Sequence, residues 1–140
     1  MRAVIFVSSI VGLLTFSEAH AMPQGEVLPG FQCVGLNAKT LNLSPKDIYT
    51  GAKNPWILNA PSEGAKPVAK VPNIAYMAWP PVVENGFLKA MSLGGQIGWL
   101  EEKAVRPLRR ADGTTGGCRL SRLPNGRITF YLDPGVGVAY

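Results

Sequence analysis

Two cysteines, one histidine and nine acidic residues are the side chains of this 140-residue chain best suited to covalent, metal or acid–base chemistry. The histidine, His20, lies within Ala19-His20-Ala21, a small-x-small motif of the kind that signal peptidases cut, and we expect it to be removed. A mature chain without histidine lacks the commonest general base and the commonest metal ligand. The sequence therefore argues against Ser-His-Asp, Cys-His and histidine-based zinc sites, and we expect neither a metal nor a cofactor.

Paired carboxylates are the remaining route to catalysis, as in glycosidases. The adjacent acids Glu101 and Glu102 lie beside Lys103. Neighbouring residues of one element point in different directions, so this pair is more typical of a solvated face than of an acid and a base acting together. We therefore expect no catalytic residues, and a protein that is not an enzyme.

Cys33 and Cys118 are the only cysteines, and they lie near opposite ends of the mature chain. In an oxidising compartment such a pair predicts a disulfide. The alternative, a two-cysteine redox site, is usually a Cys-x-x-Cys motif near the start of a helix, and neither cysteine has that neighbourhood.

The first 21 residues indicate the compartment. Arg2 gives a positive start and an apolar run follows over residues 3–14, ahead of the cleavage motif. This run is well short of the roughly 20 residues that span a bilayer. We expect a signal peptide over residues 1–21, no permanent membrane anchor, and a periplasmic or secreted protein; an N-terminal anchor or a buried strand is the alternative.

Residues 22–140 suffice for one compact core and are too few for two ordinary domains, so we expect a single domain. The chain carries 14 Lys and Arg against nine Asp and Glu, an excess that favours anionic partners. We expect no nucleic-acid partner, because the chain has no recognition-helix or stacking-platform signature. The bases concentrate towards the C-terminus, where an ordinary solvated face is the alternative to anion binding. The candidate anion-binding residues are Arg106, Arg109, Arg110, Arg119 and Arg122.

Short apolar runs separated by turn residues are the elements that position these side chains, and their spacing near ten residues is typical of a small barrel or sandwich. Asn125-Gly126 predicts a C-terminal hairpin over residues 117–132. Ser44 and Pro45 predict the start of one short helix, which Gly51 ends. Residues 22–30 and the tail over residues 136–140 are predicted to be extended arms, the tail either frayed or added to a sheet edge. The predicted strands are Phe31–Leu36, Trp56–Asn59, Val68–Val71, Ile74–Trp79, Gly86–Ser92, Gln96–Leu100, Gly117–Leu123 and Arg127–Leu132.

Aromatic residues supply the second set of candidate ligand contacts. Pro80 and Pro81 force an extended exit after Trp79, which predicts that its ring lies near a loop tip. With Tyr76 and Phe87 it could form an aromatic shelf for a peptide or a sugar ring; a packed barrel lid is the alternative. Trp99, inside a tight apolar strand, is expected to be core or half-core.

Residues 56–108 resemble the bacterial SH3-like family of small five-stranded barrels. Leu58-Asn59-Ala60-Pro61-Ser62 is similar to the family's opening strand and Pro-Ser turn. Asn85-Gly86-Phe87-Leu88-Lys89-Ala90 resembles the segment in which a turn precedes an aromatic residue, and Gly98-Trp99-Leu100 resembles the closing motif. The resemblance implies a mostly β domain with an SH3-like barrel at its centre, to which the C-terminal hairpin, the short helix and one disulfide are added.

Together these features predict an exported, non-catalytic binding module of the bacterial periplasm or cell envelope. Its expected ligand is an anionic cell-wall polymer or a peptide. The alternative is a structural or inhibitory partner of another exported protein, in which a barrel edge or the terminal arm pairs with a partner strand.

Overall fold

The computed structural model describes residues 25–137 and is mostly β, as the sequence predicts. The predicted signal peptide and the outer parts of both predicted arms lie outside the described residues. One α-helix, α1 (Pro45–Thr50), and a 3-10 helix (Glu102–Ala104) interrupt the strands. The strands are β1 (Glu26–Val27), β2 (Phe31–Leu36), β3 (Trp56–Leu58), β4 (Pro67–Lys70), β5 (Ile74–Ala78), β6 (Val83–Glu84), β7 (Phe87–Met91), β8 (Ile97–Glu101), β9 (Val105–Arg110), β10 (Thr115–Gly116), β11 (Cys118–Arg122), β12 (Ile128–Leu132) and β13 (Val136–Gly137).

The strands form two antiparallel sheets. The larger has the order β10-β9-β2-β5-β7-β8-β3-β4, with β13 added to β9 and β6 added to β7. The smaller has the order β1-β11-β12 and contains the C-terminal hairpin, whose turn places Gly126 at a φ of 83°. The predicted final arm is thus added to a sheet edge as β13, and part of the predicted N-terminal arm pairs with β11 as β1.

Strands β2 and β5 are buried on both faces of the larger sheet. On one face Val34, Ala75 and Met77 belong to a cluster that also contains Ile57 of β3. Because β3 lies four places from β2 in the strand order, the sheet must curl to bring these side chains together. The strand sequence Ile-Ala-Tyr-Met-Ala, apolar throughout, is the pattern expected where neither face meets water.

The opposite face of β2 and β5 packs against the smaller sheet. Cys33, Ile74 and Tyr76 form a second cluster there with Leu120 and Ile128. The smaller sheet therefore covers the side of the larger sheet that the curl of β3 and β4 does not. An SH3-like barrel remains a prediction.

The Cys33–Cys118 disulfide is confirmed, and it joins β2 to β11, one strand from each sheet. The two residues are 85 positions apart and their Cα atoms lie 5.5 Å apart. A loop of this length constrains the unfolded chain by roughly 4 to 5 kcal/mol in the chain-entropy account. The bond fixes the position of the smaller sheet over the doubly buried strands.

Helix α1 begins and ends where the sequence predicts. The Ser44 hydroxyl accepts a hydrogen bond from the N–H of Asp47, and the Asp47 carboxylate accepts one from the N–H of Ser44 at 2.9 Å. The Ser44 hydroxyl also donates to Asp47 Oδ2 at 2.7 Å. This bond, the bond from the Ser44 N–H and the contact with Lys53 lower the pKa of Asp47 from 3.8 to about 2. Gly51 ends the helix at a φ of 68°, a left-handed conformation that glycine adopts without strain.

We predict that Ser44→Ala lowers the free energy of unfolding by about 1 kcal/mol, since it removes the N-cap. The low pKa of Asp47 stabilises the fold above the unfolded-state pKa, and this contribution is lost as the pH falls towards about 2. Urea unfolding between pH 5 and pH 2 should therefore show a shallower acid-side loss of stability in the variant. Ser62→Ala, an exposed turn serine, is the matched control and should leave the curve unchanged. An unaltered curve for Ser44→Ala would contradict the prediction.

Candidate binding site around Trp79

Trp79 begins the short loop between β5 and β6, residues 79–82, which interrupts an otherwise continuous antiparallel ladder on β7 and is called the Trp79 excursion below. Both β5 and β6 pair with β7, with Tyr76 opposite Met91 and Val83 opposite Leu88. Tyr76 and Val83 are seven positions apart, whereas Met91 and Leu88 are three apart, so four residues leave the ladder between them. The Trp79–Pro80 peptide bond is cis, and the prolines of this segment have no N–H to offer β7.

The excursion presents apolar side chains to solvent. Trp79 is 53% exposed, and Val82 and Val83 are 45% and 51% exposed. Its start is held in place, because the N–H of Trp79 donates to the carbonyl of Gly30 at 2.9 Å. An exposed tryptophan on an anchored segment is a common form of ligand contact, since the ring loses little freedom on binding.

A surface cavity of about 400 Å³ adjoins Trp79. Within it, Asp133 Oδ2 accepts a hydrogen bond from the N–H of Gly117 at 3.0 Å and lies 3.7 Å from Arg110 Nη2. The remaining carboxylate oxygen and the side-chain amide of Gln32 have no hydrogen-bond partner among residues 25–137. The lining residues are Phe31, Gln32, Trp79, Thr115, Gly116, Gly117, Cys118 and Asp133.

The cavity combines an aromatic ring with fixed polar groups, and its volume falls in the usual range for small-ligand sites. Asp133 is the one acidic side chain of its lining, and Cys118 is held in the disulfide. A ligand in this cavity can stack a flat apolar face on the indole of Trp79 and donate hydrogen bonds to Asp133 and Gln32. No sequence signal marks Gln32 or Asp133 as a ligand contact, because Asp133 reaches the lining of the Trp79 cavity through the pairing of β11 with β12.

The predicted shelf of three aromatic residues is not formed. Tyr76 is 1% exposed and packs against Phe130, with ring centroids 6.0 Å apart. Phe87 is 5% exposed and borders a different cavity, together with Glu101 and Glu102. Alternation along β5 directs Tyr76 between the sheets, whereas Trp79 lies beyond the end of β5. Of the three, Trp79 is the ring that a ligand can reach directly.

The five candidate arginines do not share one surface, because they lie on two sheets and alternate in direction along β9. Arg106 and Arg110 lie on the same face as the buried Leu108, whereas Arg109 lies on the opposite face. Most of them donate to nearby backbone carbonyls: Arg106 Nε to Leu36 at 3.2 Å, Arg109 Nη1 to Gly113 at 2.9 Å, Arg110 Nη1 to Thr115 at 2.6 Å, and Arg122 Nη1 to Gly126 at 3.4 Å.

Arg119 differs from the other four in both position and bonding. It is exposed on the outer face of the smaller sheet, directly across from the half-exposed Tyr131. Its guanidinium makes no hydrogen bond or ion pair within the described part of the chain. Anion binding by the arginines stays a prediction, and Arg119 is the member of the set best placed for it.

No protein-family model matches the chain, and no match is found among curated proteins or solved structures. Within residues 25–137, no helix is long and apolar enough to cross a membrane. The same residues contain no cluster of three or more His, Cys, Asp and Glu side chains placed to hold a metal ion.

The hydroxyl of Tyr76 is buried and has no hydrogen-bond partner in the described residues. Burial raises the pKa of Tyr76 from 10 to about 12, so stability should fall as the pH rises between these values, where only the unfolded chain ionises. We predict that Tyr76→Phe raises the free energy of unfolding by about 1 kcal/mol, since it removes an unpaired buried group.

Urea unfolding at pH 7 and between pH 10 and pH 12 measures both effects of Tyr76→Phe. The variant should lose less stability than the wild type on the alkaline side. Tyr131→Phe, at a residue that is 53% exposed, is the control and should change neither quantity. A Tyr76→Phe protein less stable than the wild type at pH 7 would show that the hydroxyl has a partner in solution.

Proposed function

We propose that the protein is an exported, non-catalytic binding module of the bacterial periplasm or cell envelope, whose ligand is a cell-wall polymer or a peptide. The observation that carries the proposal is the exposed ring of Trp79 at a cavity that also presents Gln32 and Asp133. The signal-peptide pattern of residues 1–21 and the Cys33–Cys118 disulfide support export, because disulfides persist in oxidising compartments.

The site is preorganised for binding. The start of the Trp79 segment is fixed by the carbonyl of Gly30, and Asp133 is held by Gly117 and Arg110. Little ordering is then needed when a ligand arrives, so more of the contact energy contributes to affinity. Truncating a central aromatic contact of this kind typically lowers affinity by tenfold or more.

The side chains that line the Trp79 cavity favour binding of a ligand over catalysis. Glycosidases without histidine need two carboxyl groups on either side of the scissile bond, and Asp133 is the one carboxylate that lines the Trp79 cavity. A carboxylate already engaged with a backbone N–H and an arginine is suited to accept a hydrogen bond from a ligand hydroxyl or amide.

The second candidate function is partnership with another exported protein through strand addition, and the outer edge of β12 favours it, because no strand of the described residues pairs there. The N–H of Ile128 at the start of this edge donates to the carbonyl of Leu93 at 2.8 Å, so a partner strand would pair from Phe130 onwards. The N–H of Leu123 donates to Arg127 and that of Asp133 donates to Gly117, which fixes the alternation of the hairpin ladder. By this alternation the backbone N–H and C=O of Phe130 point away from β11, towards the outer edge. A partner strand could pair there.

Co-sedimentation of the purified protein with cell-wall sacculi, at low and at high salt, tests the proposal. We predict retention that Trp79→Ala weakens at least tenfold at both salt concentrations, because the lost contact is a ring face rather than a charge. Tyr49→Ala is the matched control, since Tyr49 is 88% exposed on α1 and lies outside the lining of the cavity.

The outcomes of this experiment separate the two candidate functions. Undiminished retention of Trp79→Ala would contradict a role for the Trp79 cavity in polymer binding. No retention of the wild type at either salt concentration would exclude the polymer and favour a protein partner at β12.

A further inference from the structure

We propose that a second surface, on β3 and β8, binds a carboxylate-bearing polysaccharide chain. This aromatic face consists of Trp56, Leu58, Ile97 and Trp99, with Lys70 and Lys89 beside the rings. It shares no residue with the Trp79 cavity, so the proposal goes beyond the function proposed for that cavity.

Strand register brings these residues onto one face of the larger sheet. Trp99 lies directly opposite Leu58 of β3 on one side and Lys89 of β7 on the other. Trp56 is two residues from Leu58 and Ile97 is two residues from Trp99, so alternation directs them to the same side. Trp56 and Trp99 are diagonal neighbours, whose spacing is typically about 7 to 8 Å in an antiparallel sheet.

Gly98 shows which side of β8 is the interior. A Cβ at Gly98 would lie 2.5 Å from Ile57 Cγ2 and 2.5 Å from the Leu58 carbonyl oxygen. Ile57 is a core residue at 1% exposure, so the side of β8 next to Gly98 is closed by β3. The side chains of Ile97 and Trp99 therefore point outwards.

The aromatic face is open to solvent although it is apolar. Trp56 is 49% exposed and Ile97 is 46% exposed, while Leu58 and Trp99 are partly exposed. Exposed apolar residues are ordinary when scattered singly, but neighbouring ones on one sheet face are typical of an interaction surface. Trp99 is half-buried, within the expected range of core or half-core.

The charges beside the rings indicate the sign of the ligand. Lys70 Nζ lies 5.4 Å from the centroid of the Trp56 ring. The side-chain ammonium of Lys89 has no hydrogen-bond or ion-pair partner within the described residues, and Lys89 lies next to Trp99 in the ladder. Glu101, the acid on this face of β8, is paired with Lys103 at 3.0 Å. Lys70 Nζ also donates a hydrogen bond to the carbonyl of Ala52, so among the described residues it is the Lys89 ammonium that remains fully available to attract a carboxylate.

Backbone pairing favours a polysaccharide over an extended peptide. β8 is paired with β7 and β3, and β3 is paired with β8 and β4, so neither is an edge to which a peptide strand could be added. The face offers two indole rings, the aliphatic side chains of Leu58 and Ile97, and ammonium groups, rather than an open backbone edge. Indole rings can stack against the C–H faces of sugar rings, and the lysines can pair with carboxylates carried along the same chain.

Titration calorimetry with a hyaluronate hexasaccharide tests the inference, with chitohexaose as the uncharged comparison. We expect hyaluronate to bind, and Trp56→Ala to weaken that binding at least tenfold. Lys89→Gln should weaken hyaluronate binding several-fold and reduce its salt dependence, while leaving the weaker binding of chitohexaose unchanged. Tyr49→Ala, at an exposed ring that belongs neither to the aromatic face nor to the Trp79 cavity, is the control and should bind hyaluronate as the wild type does.

Other outcomes would overturn the inference. Absence of hyaluronate binding, or binding that Trp79→Ala abolishes and Trp56→Ala does not, would show that the aromatic face is not a polysaccharide site. Binding of polyglutamate in place of hyaluronate, lost in Trp56→Ala, would assign the face to an acidic protein. The sacculus assay tests the Trp79 cavity through Trp79→Ala, whereas the hyaluronate assay tests the aromatic face through Trp56→Ala and Lys89→Gln. Failure of one proposal can therefore be distinguished from failure of the other.

Discussion

Burial of β2 and β5 on both faces is the constraint on which the rest of the structure depends. Their side chains alternate between two cores, one closed by the curl of the larger sheet and the other by the smaller sheet. Each core excludes water only because another layer of sheet packs over it. Removing either layer would expose large apolar side chains to water, which is unfavourable. The Cys33–Cys118 bond ties the second cover to β2 and so limits how far the two sheets can separate.

The Trp79 cavity forms where these constraints meet. Its lining comes from the start of β2, the residue after β5, the strands around the disulfide and the residue after β12. Pairing that serves the cores holds these segments, and together they place the Trp79 ring and the Asp133 carboxylate in the lining of one cavity. The aromatic face arises from the same curl, because β3 closes one side of β8 and leaves Trp99 outside.

Local signals in the sequence predicted the local structure. The Ser44 cap and Gly51 fix α1, Asn125-Gly126 fixes the hairpin, and β2 has the bounds that its apolar run predicts. The strand β10 was not predicted, because it is two residues long and exists only through pairing with β9. The tail that forms β13 was predicted as an arm, either frayed or added to a sheet edge, and the pairing with β9 selects the edge. Burial of Tyr76 and the dispersal of the arginines were also missed, since the covered side of a strand depends on sheets assembled from distant residues.

Native-state amide hydrogen exchange tests the central claim most directly. If β2 and β5 are buried between two covers, the amides of residues 33–36 and 74–78 should exchange slowest in the molecule, at rates set by global unfolding. The amides of Val82 on the Trp79 excursion and of Val68 on the edge strand β4 should exchange much faster. Exchange of β5 as fast as that of Val82 would contradict a fold organised around these doubly buried strands.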